Sequence, residues 1–285
     1  MSGNTVRGLL EDAVRRLTSA GVESARRNAE WMLSEVLSEG RAAMYAGASA
    51  SVSAERRERF EEMLQRRLRR EPLQYILGFA EFCGLRLGVT PEVLIPRPET
   101  EELVASVLHC LEGHAAPRVL DVGTGSGCIA LALKKALPNA HVYACDVSVP
   151  ALEVARQNAA LHDLRVELFE ADALAKDFVE RAPDGLDLLV SNPPYVPEDE
   201  EPSLAAEVYG YEPHMALFAR VDPVVFYRAL ARHGRKLLQP AGWIALETHA
   251  EYGRTVVRIL EEAGFRAPEL SRDLAGKDRI VVAAR

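Results

Sequence analysis

The chain has 285 residues, 48% of them hydrophobic and 27% charged, a composition ordinary for a soluble globular protein with a packed core. Met1 to Arg15 contains no apolar signal-like run, and no apolar stretch approaches bilayer-spanning length, so a cytoplasmic protein is expected. The net charge of −8 is unevenly spread: residues 1–72 hold 13 Arg and no Lys against 11 acidic residues, leaving 21 basic and 31 acidic residues beyond. That acidic remainder is a poor electrostatic partner for a polyphosphate and weakens a nucleic-acid substrate.

In chain order, residues 1–72 read as a small helical bundle. Val6, Leu9, Leu10, Ala13, Val14 and Leu17 recur at helical spacing and Gly21 closes that segment; Ala29, Met32, Leu33, Val36 and Leu37 repeat the pattern to about Gly40. A third helix spans 53–70, with Ser53 as N-cap and Pro72 as its stop. Its run Arg66-Arg67-Leu68-Arg69-Arg70 reads as a solvated helix face. The bundle carries no residue cluster that suggests chemistry, so a substrate-docking role is expected of it.

Residues 73–98 read as a connector. Phe82, Leu85, Leu87 and Val89 alternate around Gly84 and Gly88, predicting a short β-hairpin, and Leu94-Ile95-Pro96-Arg97-Pro98 is stiffened by its prolines. A helix begins at Thr100. From Pro117 strands alternate with helices: strands over 118–122, 141–145, 165–169, 186–190 and 243–247, helices over 128–136, 150–162, 223–238 and 252–263. Two closing strands cover 265–270 and 279–282. This alternation predicts an α/β domain over 99–285, a Rossmann-like, mainly parallel sheet. The four cysteines, Cys83, Cys110, Cys128 and Cys145, match neither a zinc spacing nor a disulfide framework, so buried free thiols are expected and no metal is implied.

Two motifs carry the chemistry. Asp121-Val122-Gly123-Thr124-Gly125-Ser126-Gly127 lies between the first strand of the α/β domain and its helix, where glycines let a ligand press on bare peptide groups. Asp146 ends the second strand about twenty residues on, where a carboxylate meets ribose hydroxyls, and Asp172 follows the third, placed to accept from an adenine amine. Each could instead be a helix N-cap. No phosphate-binding lysine or arginine sits beside the glycine turn, which favours a nucleoside ligand without phosphates, and S-adenosylmethionine fits. The second motif is Asn192-Pro193-Pro194-Tyr195 after the apolar run 186–191. Prolines leave stiff carbonyl acceptors, Asn192 adds an amide and Tyr195 a flat ring, a cluster suited to gripping a planar –NH2 group.

With these motifs the chain resembles the peptide chain release factor glutamine methyltransferases (the HemK/PrmC family) along nearly its whole length. The segments carrying the likeness are 71–78, Leu94 to Glu101, Asp121 to Gly127, Ser191 to Tyr195, Tyr211-Glu212-Pro213 and Arg272 to Gly276. The resemblance implies a class I S-adenosylmethionine-dependent methyltransferase domain with an antiparallel C-terminal strand, joined to an N-terminal helical bundle. It implies methylation of the glutamine side-chain nitrogen in the Gly-Gly-Gln motif of class 1 release factors, by a protein expected to act as a monomer. Gly123, Thr124, Gly125, Ser126 and Gly127 would cradle the cofactor's methionine part, Asp146 its ribose, and Asp172 with Ala173 its adenine. Ala173 stands where some relatives carry a large aromatic residue. Asn192 and the Pro193 carbonyl would accept the two glutamine N–H bonds, with Pro194 and Tyr195 completing the substrate site. Adenine or cytosine amines of nucleic acid are the alternative substrates, and the Arg97-Pro98-Glu99-Thr100-Glu101 segment supports the release-factor reading.

Overall fold

A computed structural model describes residues 4–219 and 222–285; residues 1–3 of the expected 1–72 bundle lie outside them. The chain forms two compact units, Met1–Gly78 with Ala205–Tyr211, and Phe79–Leu204 with Glu212–Arg285.

The first unit is helical: α1 (Val6–Ser19), α2 (Ala25–Leu37), α3 (Arg41–Ala46), α4 (Ala54–Leu68), α5 (Leu73–Leu77) and, from later in the chain, α10 (Ala206–Tyr211). Ser53 caps α4 by accepting from the Arg56 N–H, as expected, and Thr5 caps α1 through Gly8. Apolar faces of α1, α2 and α4 meet in a core that includes Leu10, Leu17, Met32, Leu33, Phe60 and Leu64. One expectation is corrected here. Arg67 is buried, not solvated, because three partners offset its desolvation: Nε donates to Asn28 Oδ1 (2.8 Å), Nη1 to the Glu71 carbonyl (2.9 Å) and Nη2 to Glu207 (3.1 Å). Arg70, just past the end of α4, pairs with the same carboxylate, so α10 is fastened to α4 and the turn after it by two charge-assisted bonds.

The second unit begins with the hairpin β1 (Phe79–Phe82) and β2 (Leu85–Gly88). Its two-residue turn places Cys83 (φ 47) and Gly84 (φ 69) in the left-handed region, the type I′ geometry that matches strand twist. After α6 (Pro98–Cys110) come β3 (Arg118–Val122), α7 (Cys128–Ala136), β4 (His141–Asp146), α8 (Val149–Leu161), β5 (Glu167–Glu170), α9 (Phe178–Arg181) and β6 (Leu186–Ser191). They are followed by a 3-10 helix (Glu198–Ser203), α11 (His214–Leu217), α12 (Val225–Leu237), β7 (Leu238–Glu247), α13 (Gly253–Glu262), β8 (Arg266–Arg272) and β9 (Asp278–Ala284). The seven-stranded sheet has the order β5-β4-β3-β6-β7-β9-β8, parallel from β5 to β7, with β9 antiparallel to both neighbours. Central strands are buried on both faces, which is why β6 reads as an apolar run interrupted only by Asp187 before it ends at Ser191. One layer packs Leu103, Val107, Ile129 and Leu133 against the sheet; the other packs Phe178, Tyr227, Leu230, Val256 and Leu260.

The chain runs outward through β3, β4 and β5, then returns to the other side of β3 with β6. This reversal opens a crevice at the carboxyl ends of β3 and β6, where open α/β sheets take their ligands. No helix among the described residues is long and apolar enough to cross a membrane. All four cysteines are free, but only Cys145 is fully buried; the other three are half-buried.

Candidate active site

Four strand ends build the site. After β3 the chain turns through Gly123 (φ 74), Gly125 (φ 54) and Gly127 (φ 82), a conformation that needs glycine. The turn is anchored twice at its start, the Gly123 and Thr124 N–H groups donating to the Cys145 carbonyl at 2.9 and 3.0 Å. A Cβ at Gly123 or Gly125 would project into open space, whereas one at Gly127 would sit 3.2 Å from Ala155 Cβ and Leu131 Cδ1. The first two glycines thus keep a cradle clear, and the third lets α7 approach α8. Gly127→Ala combines a left-handed φ with that crowding and is expected to cost about 2 kcal/mol. A thermal melt several degrees below wild type checks it; an unchanged melt would refute the packing role.

Asp146 is tied to the same turn. Its Oδ2 accepts from the Gly125 N–H (2.9 Å) and its Oδ1 from the Ser148 N–H (2.9 Å), and burial pushes its pKa up against those bonds. It is not the N-cap of α8, a role filled by Ser148. Asp172 is exposed and caps a local turn by accepting from the Leu174 N–H (2.8 Å), with no helix starting there. Ala173 follows, its carbonyl held by Nε2 of the buried His233 at 2.9 Å. Burial keeps His233 below its ordinary pKa, hence neutral, so Nε2 carries the proton and Nδ1 is left without a partner.

A cavity of about 270 Å³ joins these groups. Gly123, Gly125, Asp146, Asp172 and Ala173 line it on one side, and Asn192, Pro193 and Pro194 on the other. Apolar walls come from Leu94, Val147, Phe218, Phe226 and Leu230, with the exposed Met215 at its edge. Thr124, Ser126, Gly127 and Tyr195 do not line it. Thr124 and Ser126 are buried beneath the turn, Thr124 Oγ1 donating to Asp121 Oδ2 at 2.6 Å. Tyr195 turns away and donates to Glu247 Oε1 at 3.3 Å, its ring packing among the core residues on that side of the sheet.

Behind the tetrapeptide lies a polar chain that reading the sequence missed. Asn192 Nδ2 donates to Thr100 Oγ1 (3.2 Å), and Thr100 Oγ1 donates to Oε2 of the buried Glu247 (2.7 Å). Burial raises the Glu247 pKa, opposed by Thr100, the Arg279 guanidinium and the Tyr195 hydroxyl. The available signal was a carboxylate closing the apolar strand 243–247. Two further contacts were missed. Asn158 donates to the Ser126 carbonyl (2.9 Å) and the Gly88 carbonyl (3.0 Å), locking the glycine turn to β2. Glu212 accepts from Ile95 N–H (3.1 Å) and Arg97 Nη2 (2.5 Å), tying two segments of the cavity wall together. Arg97 thus has a structural partner. Elsewhere, Glu200, His249 and Glu251 bring ligand atoms within 4.8 Å of one another on the partly exposed surface.

A seven-stranded sheet with one antiparallel strand near its end, a glycine turn after its first strand and a ligand crevice at the switch point define a class I methyltransferase. The methyltransferase from Pyrococcus furiosus shares the fold (TM-score 0.51, 18% identity, 70% of this chain and 89% of that one). So does a 16S rRNA N2 G1207 methyltransferase of T. thermophilus in complex with AdoMet and guanosine (TM-score 0.52, 18% identity, 73% and 49%). Residues 8–78 match the PrmC N-terminal domain and residues 102–208 the methyltransferase small domain. Release factor glutamine methyltransferases are similar over most of the chain: 43% identity in Bacteroides thetaiotaomicron (85% of this chain, 86% of that protein), 40% in Geobacter sulfurreducens (97% and 95%) and 40% in Moorella thermoacetica (99% and 99%). The chain belongs to the release factor glutamine methyltransferase family.

Proposed function

We propose that the protein transfers a methyl group from S-adenosylmethionine to the side-chain amide nitrogen of the glutamine in the Gly-Gly-Gln motif of class 1 release factors. The observation that carries this reading is one cavity bounded by the glycine turn and Asp146 on one side and by Asn192 and Pro193 on the other. The open space above Gly123 and Gly125 fits a ligand lying on bare backbone. Asp146 spends one acceptor position of each oxygen on the backbone, and a carboxylate has about four, which leaves room for the two hydroxyls of a ribose. Asp172 and Ala173 are assigned to the adenine, and Thr124, Ser126 and Gly127 support the turn from below. When bound, the cofactor supplies a methyl group already activated by its sulfonium.

The residues of the chain then have mainly a positioning task. An amide nitrogen is a weak nucleophile because its lone pair is delocalised into the carbonyl. Asn192 Oδ1 and the Pro193 carbonyl accept the two N–H bonds, fixing the nitrogen's direction and restricting its motion. As positive charge builds on the nitrogen, the same two acceptors stabilise it. The proton leaves afterwards, so no strong general base is required. Tyr195, with its hydroxyl on Glu247, supports the tetrapeptide from behind, while Pro194 shapes the cavity wall. The N-terminal unit is assigned to docking the release factor, and the protein to acting as a monomer in the cytoplasm, where its substrate works.

Nucleic-acid amines are the less favoured substrates because the α/β part of the chain is acidic and an enzyme acting on them must also hold phosphates. Incubation with labelled S-adenosylmethionine and an unmodified release factor, followed by mass spectrometry, is expected to place the methyl group on the Gly-Gly-Gln glutamine. Label on DNA or RNA alone would overturn the assignment.

A further inference from the structure

The orientation of Asn192 is set from behind, by groups that do not reach the cavity. Glu247 is buried at 1% exposure, yet two hydroxyls converge on its carboxylate, Thr100 on Oε2 at 2.7 Å and Tyr195 on Oε1 at 3.3 Å. In both contacts the hydroxyl donates and the carboxylate oxygen accepts. The single Thr100 proton is therefore committed to Glu247, and toward Asn192 Thr100 Oγ1 presents only a lone pair. Across that 3.2 Å contact Asn192 must place its Nδ2, not its Oδ1. Thr100 is itself 2% exposed, so no water is at hand to accommodate the opposite orientation. With Nδ2 turned inward, Oδ1 is the free end of an amide that lines the cavity, and among the described residues no donor meets it.

We infer that Thr100 and Glu247 are positioning residues that hold the Asn192 carboxamide with its oxygen, rather than its nitrogen, presented to the substrate amide. This rests on the assignment of Asn192 as acceptor for a substrate N–H. A flipped Asn192 would set an oxygen against the Thr100 lone pair and offer a donor to a donor, so the flip is disfavoured by tenfold or more. Without the Thr100 hydroxyl that preference disappears, and the productive orientation has to be found at each turnover. The effect belongs in kcat rather than KM, since the acceptor is needed most as charge develops on the nitrogen. Glu247 supplies direction to the whole chain: remove it, and the Thr100 proton is free to turn toward Asn192.

The test uses the full chain and an unmodified release factor. Thr100→Val keeps the shape and removes the hydroxyl, and is expected to lower kcat by about tenfold with KM and cofactor affinity within about twofold. Thr100→Ser restores kcat to within about threefold, and Glu247→Leu reproduces the Thr100→Val loss. In an Asn192→Ala background Thr100→Val is expected to have no further effect, because it acts only through Asn192. An equal loss in both backgrounds, or wild-type kcat in Thr100→Val, would overturn the proposal. A second readout needs no substrate. The Asn192 side-chain amide resonances of 15N-labelled protein, identified by their loss in Asn192→Ala, are expected to shift in Thr100→Val and return in Thr100→Ser. Resonances that do not move would overturn the orientation. These shifts in the variants, together with a wild-type protein that leaves the release factor unmethylated, would instead overturn the functional assignment alone.

Discussion

Asn192→Ala is expected to lower kcat by about 10²- to 10³-fold while the cofactor dissociation constant moves less than about threefold. The substitution removes the oxygen that faces the cavity and leaves the glycine turn and Asp146 untouched, since their hydrogen bonds run to one another, to neighbouring backbone, to Asp121 and to Asn158, none of them to Asn192. It also leaves Thr100 Oγ1 with an unused lone pair in a buried setting, a stability cost of about 1 kcal/mol that a thermal melt would register. Asn192→Asp retains size and an acceptor but sets a carboxylate oxygen against the Thr100 lone pair in place of Nδ2, and loses nearly as much activity. The loss appears in kcat because a ground-state amide N–H interacts modestly with an acceptor, whereas the cationic nitrogen of the transition state interacts strongly. Single-turnover methylation with saturating release factor, alongside calorimetric titration of the cofactor, separates the two effects. Near-normal turnover in Asn192→Ala would remove the basis for the proposed chemistry.

The parts of this molecule that could be read from the sequence are those written in consecutive residues. The glycine turn, the carboxylate ending β4 and the tetrapeptide after β6 each occupy a few adjacent positions whose backbone consequences are local. Alternation of apolar runs gave the sheet and most of its helices. What was missed is set by distance along the chain: Thr100 and Glu247 are 147 residues apart, Asn158 and Gly88 are 70 apart, and Arg97 and Glu212 are 115 apart. Each is an ordinary polar residue until the fold supplies its partner. Local rules also misled in places. The strand expected over 243–247 begins earlier, at Leu238, where Leu186 pairs with Leu238 and a register shift lets Pro240 pass. Cys83 gave no turn signal because residues other than glycine seldom occupy the left-handed region it adopts. The short helices α3, α5, α9 and α11 have four to six residues each, too few for a helical period to register.

The second large effect concerns pH. The wild-type protein is expected to lose stability between about pH 4 and pH 7 relative to an Asp121→Asn variant. Asp121 is fully buried at the end of β3, and its pKa is raised from 3.8 to about 7, mainly by burial. The Thr124 hydroxyl and the Ala130 N–H, both on Oδ2, offset part of that rise, the nearby Asp146 charge adds to it, and Oδ1 has no partner. The folded state therefore holds a proton that the unfolded chain releases near its ordinary value. The sign follows: this contribution is fully present below about pH 4, and is lost progressively as pH rises through 7. A shift of this size corresponds to about 4 kcal/mol across the window. Asp146 and Glu247, whose pKa values are also raised by burial, tilt both proteins in the same direction. The difference between wild type and variant therefore isolates Asp121. Asparagine keeps an acceptor for Thr124 and Ala130 but carries no titrating proton. Urea unfolding of both proteins at pH 5 and pH 8 measures the effect. The wild type is expected to lose about 2–4 kcal/mol more than Asp121→Asn between the two pH values. Parallel pH profiles would show that Asp121 is ionised throughout, with its unpartnered oxygen solvated in a way the fold does not provide.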